Sequence, residues 1–157
     1  MRSILKGPMM IACFLVLSAA FSWAGGKTAV NNKNFSEVQD KNWSLMEVRI
    51  GSGIIKMDRT DVPIDIYTVK FESDRFGGIG APNRFFSWYT VNEGNTISIG
   101  KIASTRMVPL YEMENFREYE YFMYLEKVNR WYHINGNLEL HSVKNENQVT
   151  LIFKRNS

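Results

Sequence analysis

The chain has 157 residues, 45% hydrophobic and 22% charged, with one cysteine and a formal net charge of +3. That length and apolar content suffice for one buried core and exclude a disordered or collagen-like chain. A lone cysteine excludes an internal disulfide framework and a CxxC metal or redox centre, and so small a basic excess argues against nucleic acid as a partner.

In chain order the first segment is an address. Arg2 and Lys6 give a positive start, Met9 to Phe21 carries no charge, and Ser22-Trp23-Ala24 is a small-x-small cleavage signal, so residues 1–24 read as a secretory signal peptide. The apolar run is shorter than the roughly 20 residues a membrane helix needs, and Gly25-Gly26-Lys27 follows at once, so no membrane span is expected in the mature chain. Cys13 after Ile11-Ala12 faintly resembles a lipoprotein box, but the chain stays apolar beyond it, which argues against a lipid anchor. The expected location is the periplasm or the extracellular space. Cleavage removes Arg2 and Lys6, so 19 basic residues become 17 against 16 acidic, and +3 becomes +1. Residues 25–40 read as a leader and residues 41–157 as one domain.

Within that domain, Trp43, Leu45, Val48 and Ile50 mark a first strand, ended by Gly51-Ser52-Gly53. Ile64 to Phe71 alternates as a second strand, limited by Pro63, with Tyr67, Val69 and Phe71 facing inward. The Gly77-Gly78-Ile79-Gly80 cluster is followed by an aromatic strand and not by a helix, so it reads as a strained turn or bulge at a sheet corner, not as a phosphate loop. Arg84 to Val91 is the aromatic strand, Asn92 to Asn95 a hairpin loop and Thr96 to Ile99 the next strand, after which Ile102 to Met107 continues extended to Pro109. One helix is expected over Asn115 to Val128, with Tyr121, Phe122, Leu125 and Val128 on its apolar face. Glu118 either caps that helix with Asn115 or is a buried polar group with a partner, and the capping arrangement is favoured. Trp131 to Ile134, Leu138 to Val143 and Gln148 to Phe153 close the chain as a three-stranded meander. The expected class is α+β: a mainly antiparallel curved sheet or partial barrel whose open side the helix covers.

No reaction centre stands out. The two histidines, His133 and His141, flank a hairpin. Apolar patterning puts Tyr132, Ile134, Leu138 and Leu140 on the core face and both histidines outward with Trp131 and Glu139. A three-residue loop centred on Gly136 then sets His133 opposite Glu139 and His141 opposite Trp131, so the two rings are diagonal neighbours and not a chelate. No metal, cofactor or catalytic residue is therefore expected. Glu112, Glu114, Glu118 and Glu120 crowd one helix start, where the helix dipole accounts for them without glycosidase chemistry. Aromatic side chains are the surplus. Alternation forbids all of Phe85, Phe86, Trp88, Tyr89, Trp131 and Tyr132 from being core, so some line a groove or an exposed patch.

The order of motifs resembles the META-domain family, the small extracytoplasmic domain of HslJ-type heat-shock proteins. Trp43-Ser44-Leu45 opens the match. Phe76 to Phe86 with Tyr89, Ile102 to Met107, Glu118-x-x-Tyr121-x-x-x-Leu125-x-x-Val128 and Ile134-x-Gly136-x-Leu138-x-Leu140 continue it. Pro82 and Pro109 stand where the family often has cysteines, so no thiol role carries over. The resemblance implies an exported domain linked with envelope or heat stress and with no established catalytic residues. It draws attention to Asn83, Arg84, Ser104 and Thr105, for which backbone-satisfying roles are the simpler account. The functional expectation is a non-catalytic, monomeric domain that binds an unknown envelope protein or a small apolar ligand. Candidate contact residues are Asn83, Arg84, Phe85, Trp88 and Trp131. A ligand site in the barrel mouth, lined from Phe85, Trp88, Trp131 and Tyr132, requires a pocket of roughly 300 Å³ or more and an unfilled interior.

Overall fold

The computed structural model describes residues 35–57, 66–109 and 113–156. The signal peptide, most of the leader, Pro63, the start of the second strand and Glu112 lie outside these residues.

Among the described residues, ten strands and one α-helix follow a short 3-10 turn at Phe35–Glu37. They are β1 (Asn42–Ile50), β2 (Gly53–Lys56), β3 (Thr68–Phe71), β4 (Arg75–Ile79), β5 (Arg84–Val91), β6 (Ile97–Ile99), β7 (Ala103–Ser104), α1 (Glu118–Glu126), β8 (Arg130–Ile134), β9 (Asn137–Lys144) and β10 (Asn147–Arg155). Every pairing is antiparallel, in the order β6-β5-β4-β3-β1-β10-β9-β8, with β2 beside β1 and β7 beside β5. The two ends approach each other through a bridge between Thr96 and Arg130, and the Ile97 N–H donates to Asn129 O at 3.1 Å. The sheet is therefore a nearly closed barrel, which leaves little unpaired edge.

Alternation explains what fills it. Leu45, Val69, Phe71, Phe76, Leu138, Leu140, Leu151 and Phe153 are fully buried on the inner face, each contributing about 1.5–3 kcal/mol by leaving water. The helix covers the opening by driving Tyr121 against Tyr67, Phe85, Phe116 and Phe153. Phe35, from the 3-10 turn, packs at 5.4 Å from Phe71 and 4.8 Å from Trp131, with Gln39 Nε2 donating to Tyr89 OH at 2.9 Å.

Several expectations need correction. The glycines Gly77 and Gly78 lie inside strand β4 and form neither turn nor bulge. They are there because neighbouring backbone is too near for a side chain: a Cβ on Gly78 would stand 1.9 Å from Thr68 O, and one on Gly77 2.7 Å from Phe85 O. The helix begins at Glu118, three residues late, and the Arg117 N–H is met by Glu120 Oε2 at 3.2 Å, so Asn115 and Glu118 form no cap. After Ile102 the strand is short, Ala103–Ser104 beside β5, with the Thr105 N–H donating to Arg84 O at 3.0 Å just beyond it.

The β8–β9 hairpin is shifted by one residue from the expected register. Asn135 (φ 52°) and Gly136 (φ 78°) form a two-residue turn with both central residues left-handed, the geometry that follows strand twist. Ile134 then faces Asn137, His133 faces Leu138 and Trp131 faces Leu140. One residue of slip inverts a strand. Trp131, 3% exposed, therefore belongs to the core, and Tyr132 and Ile134 move to the outer face. The histidines separate as well. His133 shares the inner-face row with Trp131, packs edge-on to Trp43 at 5.8 Å and holds Glu37 Oε2 at 3.0 Å. His141 sits on the opposite face between Glu139 Oε2 at 3.0 Å and the amide nitrogen of Gln148 at 2.9 Å. That amide donates to Nδ1, so the ring proton is on Nε2, toward Glu139.

Candidate functional site

The segment Arg75 to Phe86 makes two neighbouring polar constructions, one closed and one open.

The closed one begins at Asn83, 6% exposed. Its Oδ1 accepts from Met107 N at 2.6 Å and Thr105 Oγ1 at 2.9 Å, and its Nδ2 donates to Glu118 Oε2 at 2.6 Å and Met107 O at 3.3 Å. Glu118 Oε1 also accepts from Ala81 N at 2.5 Å and Asn83 N at 2.7 Å. One carboxylate thus ties the first turn of α1 to the loop before β5, and Asn83 ties that loop to the segment Thr105 to Met107 after β7. Glu118 is a polar group with partners, the alternative to the capping role. The Asn83 amide and the Glu118 carboxylate are both engaged in holding chain to chain, which makes the junction a structural clasp.

The open construction lies on the outer face of β3, β4 and β5. Register places Lys70 opposite Gly77 and Gly77 opposite Phe86, with Arg75 opposite Trp88 and Ile79 opposite Arg84. Strands about 4.8 Å apart with outward residues about 7 Å apart along each strand make a three-by-three grid. Its rows are Thr68, Lys70 and Glu72; Ile79, Gly77 and Arg75; Arg84, Phe86 and Trp88. The central position is Gly77 and carries no side chain. The result is a groove of about 520 Å³ whose lining includes Asn42, Lys70, Arg75, Gly77, Arg84, Phe86 and Asn156.

Phe86 (58% exposed) and Trp88 (68%) stand on its β5 side, while Phe85, Ser87 and Tyr89 of the same strand are buried. Gly100 makes room for the indole, since a Cβ there would lie 2.3 Å from Trp88 Nε1. Lys70, Arg75 and Arg84 against Glu72 leave the groove lining an excess of two positive charges. Arg75 Nε donates to Glu72 Oε2 at 2.8 Å, and this hydrogen bond and charge hold the Glu72 carboxyl below its ordinary range, with Lys70 at 3.8 Å assisting. Arg84 has no carboxylate partner among the described residues.

The sequence-derived candidates thus part company. Arg84 lines the groove and Trp88 flanks it, Phe85 contributes to the groove from beneath while its ring packs against Phe76 and Phe122, Asn83 is in the clasp, and Trp131 is in the core. Phe85, Trp88, Trp131 and Tyr132 do not converge on one pocket: Phe85 and Trp131 belong to the buried hydrophobic cluster, Trp88 is exposed on β5 and Tyr132 lies on the outer face of β8. Lys70, Gly77 and Arg75 were not among the candidates. The candidates included Arg84 and Trp88 but not Phe86 between them, and the vacancy depends on a register across three strands. Among the described residues, no group of three or more His, Cys, Asp or Glu side chains is placed to hold a metal ion.

A family model described as META domain matches residues 36–157. Among solved structures the chain is similar to a protein from Burkholderia xenovorans determined by NMR, with a TM-score of 0.64 and 19% identity over 98% of this chain and 99% of that one. That likeness bears on the fold alone. No curated protein matches the sequence.

Proposed function

The chain belongs to the META domain family, and on that premise we propose that it is a non-catalytic binding domain working outside the cytoplasm in envelope maintenance, with the outer face of β3, β4 and β5 as its binding surface. The observation that carries this reading is the pair Phe86 and Trp88, exposed on a rigid strand beside a groove of about 520 Å³. A volume within the roughly 300–1,000 Å³ usual for ligand sites, with aromatic and cationic walls, suits recognition. The non-catalytic part is supported by the placement of the histidines on opposite faces, neither of them in the groove lining. The export part is supported by the charge and cleavage pattern of residues 1–24.

Complementation tests it. A strain lacking the protein should lose survival under heat or envelope stress and recover it with the wild-type chain. Phe86→Ser with Trp88→Ser should melt within about 0.5 kcal/mol of wild type, because both side chains are exposed, and should fail to restore survival. Equal rescue by the double variant overturns the surface. Unimpaired survival without the protein overturns the envelope role.

A further inference from the structure

We infer that the groove over Gly77 binds an organic anion: a molecule with one flat ring or apolar face and one anionic group, carboxylate or phosphate. The inference rests on the proposed surface and names what it takes.

The central position of the grid is lined by backbone that has nothing to offer a ligand. Gly77 is inside the β3–β4–β5 ladder, so its N–H and C=O serve strand pairing. Recognition must come from the surrounding side chains, and these are of two kinds. On the β5 side stand the rings of Phe86 and, one residue pair along the strand, Trp88. A flat body laid over Gly77 meets the Phe86 ring, because Gly77 carries no side chain to stand between β3 and β5 in that row.

The remaining neighbours are cations. Arg75 is engaged by Glu72, so its charge is largely answered within the grid. Lys70 faces Gly77 directly and has only a long contact of 3.8 Å to Glu72. Arg84 has no carboxylate partner among the described residues and sits two positions from Phe86 on the same strand face, about 7 Å away. A guanidinium presents paired N–H donors that match a carboxylate or phosphate, and an unanswered positive charge beside a partly desolvated ring favours an anion over a neutral or cationic molecule. A ring of about naphthalene size spans the distance from Phe86 to Arg84. The geometry therefore asks for ring and charge on one molecule, since the ring contact alone does not answer Arg84 and the charge alone does not cover Phe86.

The purified protein can be titrated with four probes while the backbone amides of residues 77–88 and the Trp88 indole N–H are followed by NMR. The probes are 2-naphthoate, 2-naphthyl phosphate, 2-naphthalenemethanol and acetate. 2-Naphthoate or 2-naphthyl phosphate should bind at least tenfold tighter than the alcohol and than acetate, with shifts concentrated at Gly77, Phe86 and Trp88. The order of the two anions separates a carboxylate site from a phosphate site. Arg84→Glu should weaken the preferred anion at least tenfold and the alcohol less than threefold. Lys70→Glu, on another strand, should act in the same direction and guards against a folding defect in either variant. If the alcohol binds as tightly as the anions, the inference falls while the aromatic surface stands. If no naphthalene probe moves Gly77 or Trp88, the inference falls too. The complementation experiment judges the surface separately, since it depends on no probe.

Discussion

Gly77 and Asn83 belong to one stretch of chain, and their surroundings differ in what they leave available. Around Asn83 and Glu118 each donor meets an acceptor, and three pieces of chain far apart in sequence are tied by one carboxylate and one amide. Around Gly77 the backbone is equally tight, yet the side chains above it stand apart, with cations in excess and two aromatic rings in solvent. The first arrangement uses polar chemistry to hold the barrel to its helix. The second uses a rigid sheet to hold chemistry that the fold does not need. A polar cluster thus points to binding when its valences remain open, and density of polar residues by itself does not.

Strand packing beneath the open region should be the most sensitive to change. Gly78 faces Thr68 O so closely that an added Cβ would stand at 1.9 Å, against backbone that has no freedom to yield. Gly78→Ala should cost at least about 3 kcal/mol in urea denaturation, with loss of the β3–β4 amide protection in hydrogen exchange. Near-normal stability would show that the grid is not set by this close approach, and the vacancy over Gly77 would lose its rigid floor.

The clasp comes next. Glu118→Ala removes an acceptor used by Ala81 N, Asn83 N and Asn83 Nδ2, and should cost about 2–3 kcal/mol by leaving those donors short of partners. Glu118→Gln should cost less, about 1–2 kcal/mol. It keeps one acceptor oxygen for the two backbone N–H groups but sets its own NH₂ against Asn83 Nδ2, whose amide cannot turn while Oδ1 holds Thr105 and Met107. Neither variant should change probe binding at the groove by more than the loss of folded protein explains. A selective loss of binding in a well-folded Glu118→Gln chain would join the two regions and break the distinction between them.

Why one region was legible and the other was not follows from the range of the interactions. The β5 alternation is local, so that some of its aromatics must be exposed follows from Arg84 to Val91 alone. Phe85 and Trp88, however, were expected in one site, and the structure sets Phe85, Ser87 and Tyr89 inward with Arg84, Phe86 and Trp88 outward. The late meander is nearly as local. Its error was one residue in the turn, Asn135-Gly136 against a loop reaching Asn137, and that was enough to turn Trp131 from surface to core. Glu118 read as a cap because its sequence neighbours allow one, whereas its partners are 35 and 37 residues away. The vacancy at Gly77 is less local still. It exists only when Lys70, Gly77 and Phe86 fall in one row, and no periodicity within a single strand specifies that.

The smallest effect expected, and the one that bears most directly on the open region, concerns Glu72. Arg75 holds this carboxyl below its ordinary value of 4.5, through a hydrogen bond first and charge second. A depressed folded-state value means that ionised Glu72 favours the fold at pH above that ordinary value, and that this contribution disappears as pH falls through the lowered one. The pair is exposed, so the slope in stability should be slight and should shrink with added salt. Glu72→Gln should flatten the acid limb of stability measured between pH 6 and pH 2 (on the order of the carboxylate range), and an unchanged limb would mean that the pair contributes nothing to the fold. The same change has the opposite sign for binding. It removes the carboxylate that answers Arg75 and raises the excess in the groove lining from two positive charges to three, so 2-naphthoate or 2-naphthyl phosphate should bind about two- to fivefold tighter at low salt and no tighter at high salt. A variant that loses a little acid-dependent stability while gaining anion affinity would separate what the fold needs at this face from what the groove selects.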